Sequence, residues 1–388
     1  MLPNLKLFLI FLRLGLTSFG GPVAHLSYFR EEFVMRRRWF SDEEYADKVA
    51  LCQLIPGPAS SQVGLLIGYS RSGYLGAFLA WLGFTLPSAV ALAYLGLAMA
   101  DPESLIPNVL LTLLKAIALA VILQAVIGMT QNFCKTALHW GLMLGCALIL
   151  SLVTSPWATP LVILAAGAIT LLSSEANEGS EVSTKVRLSL PAEAIVWLVV
   201  FASGLVLLPM ITAGAGLLAE LANGLFRAGA LVFGGGHVVL PLLAETTVQS
   251  GLISSETFIS GYGAAQAVPG PLFTFAAFLG GAISADFNGA LVATLAIFTP
   301  AVAILFGVLP IWEQLKRLPA VRLAIGGANA AVVGVLLAAL VALSWQTLNS
   351  PLTALFAAVA FLLIEYAKVP AWVLVALATA GSYLNQLV

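Results

Sequence analysis

Residues that break helices recur in this chain at fixed spacing, inside segments otherwise apolar enough to be helical. Arg13-Leu14-Gly15 running into Phe19-Gly20-Gly21 returns as Arg227-Ala228-Gly229 running into Phe233-Gly234-Gly235. Gln53-Leu54-Ile55-Pro56-Gly57-Pro58 returns as Gln266-Ala267-Val268-Pro269-Gly270-Pro271. Gly76-Ala77 and Pro87 return as Gly289-Ala290 and Pro300. The offset is 214 residues for the first block and 213 for the others. Proline removes a backbone donor and glycine opens conformations closed to other residues. A chain that duplicates such interruptions is read as two copies of one fold, broken at matching places.

Composition decides where those copies sit. Sixty per cent of the residues are hydrophobic, 9% are charged, and the mean hydropathy is +1.02. A soluble domain carries about 25% charged residues, so the chain belongs in a bilayer. Segments matching a crossing of roughly 20 residues lie at 74–99, 107–130, 137–153 and 157–173, then at 286–308, 321–345, 349–366 and 369–388. The segment 192–212 has no counterpart. The segments carrying the breakers are 5–26 and 49–70 in the first half, 216–240 and 258–284 in the second. The long polar linker Ser173 to Pro191 separates the halves. The expected organisation is a repeat over 1–173, a polar linker with a linking transmembrane helix over 174–213, and a second repeat over 214–388.

Charge orients the halves, because Lys and Arg collect in cytoplasmic loops. Arg30, Arg36, Arg37, Arg38 and Lys48 crowd the insert from Ser27 to Lys48, whereas its partner, Pro241 to Phe258, has no Lys or Arg. At the next loop the bias reverses: Asp101-Pro102-Glu103 faces Lys316, Arg317 and Arg322 in the other half. Arg71 corresponds to Asp286. The halves are therefore expected to face opposite ways. Arg71 and the Arg36–Arg38 cluster belong on one side, which makes 49–70 re-entrant. With nine full crossings this puts the N-terminus in the cytoplasm and the C-terminus outside. Counting all thirteen apolar segments as crossings is the alternative, and it leaves the arginine cluster outside. The fold class expected is an all-α polytopic membrane protein of two inverted-topology repeats with broken, re-entrant helices, plus one linking helix.

Irregular backbone at membrane depth must be buried in protein or line a wet cavity. Half-helices meeting at Pro56-Gly57-Pro58 and at Pro269-Gly270-Pro271 offer helix N-termini that attract anions; the bland reading of each motif alone is a kink. Gln53 and Gln266 precede them with amide donors. Arg13 and Arg227 are equivalent cations inside apolar segments, read as substrate attraction or as structural pairing and snorkelling. Lys115 lies mid-segment, with polar Asn329 as its approximate counterpart, for anion binding or charge compensation. His25 and His237 follow Gly20-Gly21 and Gly234-Gly235, as proton relays or as neutral hydrogen-bonding fillers. Glu245 is a further proton-coupling candidate, or a solvated loop acid.

Trp39-Phe40-Ser41-Asp42-Glu43-Glu44 reads as the start of an interfacial helix with Ser41 as N-cap. His139 and Trp140 read as interfacial. Cys52, Cys134 and Cys146 lack metal spacing and read as apolar fillers. No secretory signal is apparent, since the first apolar run holds Arg13 and leads into Gly20-Gly21-Pro22. A net charge of −1 gives no reason to expect nucleic acid.

At Phe19-Gly20-Gly21-Pro22-Val23-Ala24-His25, at Leu51-Cys52-Gln53-Leu54-Ile55-Pro56-Gly57-Pro58 and at their second-half copies, the chain resembles the chromate ion transporter family. The resemblance covers both halves, as in the family's long, two-domain form. It implies a multi-pass protein of the bacterial inner membrane that exports chromate under the proton-motive force, with sulfate as competitor and membrane lipid as surroundings. One departure is Gly236 where the first half has Pro22. Chromate and sulfate are similar tetrahedral dianions, and the residues do not separate them. A sulfate or other oxyanion carrier and a passive anion channel of the same fold stay open, as do monomer and homodimer. An intramembrane enzyme is disfavoured, because no nucleophile, metal cluster or carboxylate pair accompanies the histidines. No cofactor is expected.

Overall fold

A computed structural model of the chain describes residues 3–100, 107–153, 158–177, 190–232, 238–316, 318–348 and 350–387. All regular structure among them is helical. Helix α1 (Pro3–Thr17) leads through Gly20 into α2 (Gly21–Arg30), which widens into a π-helical turn over Glu31–Arg36. Helix α3 (Asp42–Leu54) ends at the first Pro-Gly-Pro element, and α4 (Ala59–Ala100) follows it. Then come α5 (Asn108–Phe133), α6 (Ala137–Leu152), α7 (Ala158–Asn177) and the linking helix α8 (Ala192–Thr212). The second half holds α9 (Leu217–Leu231), α10 (Val239–Thr247), α11 (Ser255–Ala265), α12 (Phe275–Ser284) and α13 (Phe287–Val308). It finishes with α14 (Trp312–Leu315), α15 (Pro319–Thr347), α16 (Pro351–Glu365) and α17 (Ala371–Leu387).

The two ends of the segment expected to be re-entrant, 49–70, lie together. Helix α4 is interrupted at Ser72 and Gly73, so residues 59–71 form a short arm that turns back before 74–100 begins. The Arg71 guanidinium lies 4.6 Å from the centre of the Trp39 ring, and Arg37 lies 5.6 Å from the same ring. Chain entering at Trp39 and chain leaving at Arg71 thus share one end of the molecule. Ser41 caps α3 with Glu44 reaching back to its amide, a full capping box. The expected interfacial helix is not separate, however: α3 runs unbroken from Asp42 into the Leu54 break.

The long arm of α4 and its repeat equivalent, α13, run antiparallel. Tyr74, at the start of that arm, packs on Phe306 near the end of α13, with ring centroids 4.9 Å apart. Tyr94, towards the other end, packs on Phe287 at the start of α13, also at 4.9 Å. Close backbone approaches follow the same duplication. A Cβ on Gly15 would stand 2.7 Å from the carbonyl oxygen of Phe84, and one on Gly229 only 2.2 Å from that of Ile297. Glycine lets α1 and α9 press directly on the backbones of α4 and α13. The halves also interlock, with α15 against α6 and α7, α16 against α5, and α12 against α4.

Among the described residues, five helices are long and apolar enough to cross a bilayer: 59–100, 109–133, 192–212, 287–315 and 319–345. Four other expected crossings are shorter apolar helices, at Ala137–Leu152, Ala158–Ser173, Pro351–Glu365 and Ala371–Tyr383. At about 1.5 Å per residue a 15-residue helix such as α16 reaches roughly 22 Å, less than a hydrocarbon core of about 30 Å. Helix α8 is almost wholly outward-facing, showing Val196, Val199, Leu207, Met210 and Ile211. That surface suits lipid. All three cysteines are free and buried, and His139 lies with its N–H capped by Thr136 at the start of α6.

Candidate functional site: a cavity where the two breaks cross

Each interrupted element bonds to the other half. The amide of Gly57 donates to the carbonyl of Val232 at 2.7 Å, and the amide of Gly270 donates to the carbonyl of Ser18 at 2.9 Å. Gly57 and Gly270 are repeat equivalents, as are Ser18 and Val232. Backbone freed by the prolines is thereby satisfied across the repeat boundary. Both glycines need their type: φ is +125° at Gly57 and +104° at Gly270. A Cβ would meet Ala301 at 2.9 Å in the first case and the Ser88 hydroxyl at 2.8 Å in the second. Ala301 and Ser88 are themselves equivalent positions.

The second crossing opens on a cavity of about 310 Å³, lined by Gly20, Gly21, Gln266, Gly270 and Pro271 together with Gln124, Thr274, Lys368 and Trp372. At about 30 Å³ per water this holds about ten waters, ample for a small oxyanion with part of its hydration. The wall at Gly20 is the N-terminus of α2, where Gly20 (φ +101°) gives the helix no side-chain cap. Unfilled donors and partial positive charge therefore belong to that wall. Phe19 packs on Trp372, ring centroids 5.3 Å apart, and ties the break to the start of α17. The five predicted residues come from both halves, as the duplicated motifs imply.

The first crossing is packed instead of open. Gln62, fully buried at the start of α4, donates through Nε2 to the Pro56 carbonyl at 2.9 Å and the Ala301 carbonyl at 3.3 Å. Pro56, Gly57 and Pro58 line none of the described cavities, and Gln53 is exposed at the end of α3. Pro269 is half-buried within its break. Gly234, Gly235 and His237 lie outside the described residues. His25 is buried beside the second crossing: Nε2 is 3.2 Å from the Ser18 carbonyl and Nδ1 is 3.3 Å from the Ser60 hydroxyl. A carbonyl only accepts, so Nε2 carries the proton and Nδ1 accepts from Ser60. One carbonyl, that of Ser18, thus joins His25 and Gly270.

Arg227 and Glu245 meet in a separate cavity of about 820 Å³ between α9 and α10, with Glu220, Asn223, Thr246 and Gln249. Glu245 is half-buried on a helix, not a loop acid as one sequence reading had it; it accepts from Thr159 Oγ1 at 3.2 Å and interacts electrostatically with Arg227. It also lines an adjoining cavity of about 490 Å³. Arg13, by contrast, is exposed on α1. Lys115 pairs with Glu256 across α5 and α11. Asn329 is buried on α15 with its Oδ1 unpartnered. Arg13, Lys115 and Asn329 stand apart from both polar cavities. Sequence reasoning missed Gln62, Gln124, Thr274 and Lys368. Only Thr274 carried a signal, since it matches Ser61 in the other half.

The chain matches the family model described as chromate transporter over residues 5–171 and 219–382. It is 30% identical to the chromate transport protein of Pseudomonas aeruginosa over 340 residues, 85% of this chain and 79% of that one. An uncharacterized transporter of Methanocaldococcus jannaschii is 31% identical over 326 residues, 81% of this chain and 77% of its own. A probable chromate transport protein of Synechococcus elongatus is 29% identical over 370 residues, 91% and 87%. No solved structure matches.

Proposed function

Because the chain belongs to the chromate transporter family, we propose that it carries chromate outward across the bacterial inner membrane, driven by the proton-motive force. The observation that carries the reading is the cavity at the second crossing, where interrupted backbone of both halves borders space for an oxyanion. Amide donors at the start of α2 and the second N–H of the Gln266 side chain, whose first is on the Tyr262 carbonyl at 3.4 Å, suit a tetrahedral dianion, while Thr274 shapes the wall with its hydroxyl donated to the Pro271 carbonyl at 2.6 Å. Sulfate offers the same shape and charge and competes there. Opposite orientation of the halves is supported by the antiparallel α4 and α13 and by the sign reversal of their loops. With basic loops inside, the N-terminus is cytoplasmic and the C-terminus periplasmic.

The organisation proposed for transport is two repeats, 1–173 and 214–388, joined by 174–213. Either crossing can open in turn as one repeat rocks on the other. In the state seen here the second is hollow and the first is packed shut by Gln62. Coupling is assigned to Glu245, the acid among the candidates that faces a cavity, with Arg227 beside it. His25, with both ring nitrogens engaged, serves better as a positioning group.

Uptake of labelled chromate into inverted vesicles tests this, with sulfate as competitor and a proton ionophore as control. Chromate is expected to accumulate under an imposed proton gradient and to stop with the ionophore. Glu245→Gln is expected to keep counterflow while losing accumulation. Movement indifferent to the gradient removes the coupling, and no movement of chromate or sulfate removes the function.

A further inference from the structure

Lys368 stands where a lysine is out of place. It follows α16 in a turn closed by the Val369 amide on the Leu363 carbonyl at 3.0 Å, and this turn holds Lys368 at φ +53°. Helices commonly end on such a left-handed residue, and glycine is the usual occupant because it has no Cβ to strain. Strained backbone tends to persist where a side chain is needed for function. Here the side chain lines the cavity at the second crossing, alongside Gly20 and Gly270.

Its present partner is a loose one. Lys368 Nζ lies 3.8 Å from Glu365 Oε1, and the lysine side chain is 74% exposed. Glu365 is held from the other side by Gln124, whose Nε2 donates to Oε2 at 3.1 Å. Gln124 lines the cavity too. The carboxylate is therefore fixed while the ammonium stays free to swing. At equal distance and dielectric, a doubly charged anion attracts that ammonium twice as strongly as one carboxylate does. The repeat-equivalent positions carry Leu152, Ser155 and Leu337, so the cluster has no counterpart at the other crossing's equivalent positions.

The geometry points to Lys368 as the cation that meets the dianion in this cavity, released by Glu365 when the anion enters, with Gln124 holding the vacated carboxylate in place. This rests on the oxyanion-transport reading and names the residue that gives it charge selectivity. A monovalent anion gains no advantage over Glu365, and a dianion does.

The test uses the full chain in proteoliposomes, with labelled chromate, unlabelled sulfate and nitrate as competitors, and a thermal midpoint for each variant. Lys368→Gly is expected to fold with an equal or higher midpoint, since glycine relieves the turn, and to raise the KM for chromate at least tenfold. Lys368→Arg is expected to stay within about threefold of the native KM. Glu365→Gln is expected to lower the KM and to let nitrate compete better. A KM for Lys368→Gly within twofold of native, in vesicles where the native chain transports chromate, overturns the role of Lys368 and leaves the transport reading standing. A native chain that moves neither chromate nor sulfate sinks that reading and this inference with it.

Discussion

The amide of Gly57 is bonded to the carbonyl of Val232, 175 positions further along the chain, at 2.7 Å. Its repeat image, Gly270 to Ser18 at 2.9 Å, runs the opposite way. Each Pro-Gly-Pro element thus bonds to a carbonyl that precedes, in the sequence, the Gly-Gly motif of the other half. A half on its own lacks the partner for its freed amide, which is costly in hydrocarbon. The reciprocal pair makes the break a joint between repeats, and a joint can move where a kink in one helix only bends.

Gly270→Ala is expected to weaken that joint through strain and contact together. A left-handed backbone costs a non-glycine residue about 1–3 kcal/mol, and the new methyl would stand 2.8 Å from the Ser88 hydroxyl. Transport is expected to fall at least tenfold with a lower thermal midpoint. Adding Ser88→Ala, the residue type at equivalent Ala301, is expected to recover part of the midpoint but not all of it. Full recovery would show that contact alone, and not backbone conformation, sets the requirement.

His25 spans the same joint from the side. Its truncation to Ala strips the Ser60 hydroxyl and the Ser18 carbonyl of a buried partner, a loss of about 1–3 kcal/mol, and removes the ring packed edge-on against Phe84 at 5.3 Å. His25→Gln, which keeps a donor and an acceptor, is expected to retain more stability and an unchanged pH profile of chromate transport. A flattened profile in His25→Gln, with rates otherwise near native, would instead make the imidazole a proton carrier.

The joint itself was only half legible in the chain. Proline and glycine announce broken helices locally, which is why both duplicated breaker motifs, at four places in the chain, read as interruptions before any geometry. Charge is also legible: the sequence places Arg71 and the Arg36–Arg38 cluster at one end, and Arg71 and Arg37 share the Trp39 ring. Pairing across the repeats was not readable, because nothing at Gly57 names a carbonyl as far off as Val232. Gln62 hid in Ser60-Ser61-Gln62, a polar run without period or motif. Lys368 hid better, since a left-handed turn is signalled by glycine and this one has none. Lys115 admits two roles from the chain alone, and its Glu256 partner on α11 is not signalled by either.

Outside the membrane-spanning segments, the capping box of α3 carries a pH dependence. The Ser41 amide, then the Ser41 hydroxyl, hold the Glu44 carboxylate below its ordinary value of 4.5. A group whose folded value is depressed stabilises the fold fully above its unfolded value, and the contribution is lost as pH falls through the folded value. The thermal midpoint of the native chain is therefore expected to fall more steeply on acidification below 4.5 than that of Glu44→Gln. Parallel curves would show that the box adds nothing to cohesion of the folded protein.

Lys115 and Glu256 allow a charge-swap test of whether a buried-side cation acts on substrate or on packing. The lysine side chain is 18% exposed and the glutamate 62%, so the pair is half in water, and a net worth of about 1 kcal/mol or less follows from screening. Lys115→Ala is nevertheless expected to stop transport, because α5 also supplies Gln124 to the cavity wall and packs against α11, the helix that leads into Gln266. If pairing is what matters, Lys115→Glu with Glu256→Lys restores transport while either change alone does not. If Lys115 binds the anion directly, the double swap stays inactive although the protein reaches the membrane at native abundance. The structure favours restoration: the ammonium is turned onto Glu256, and Lys115 borders none of the described cavities.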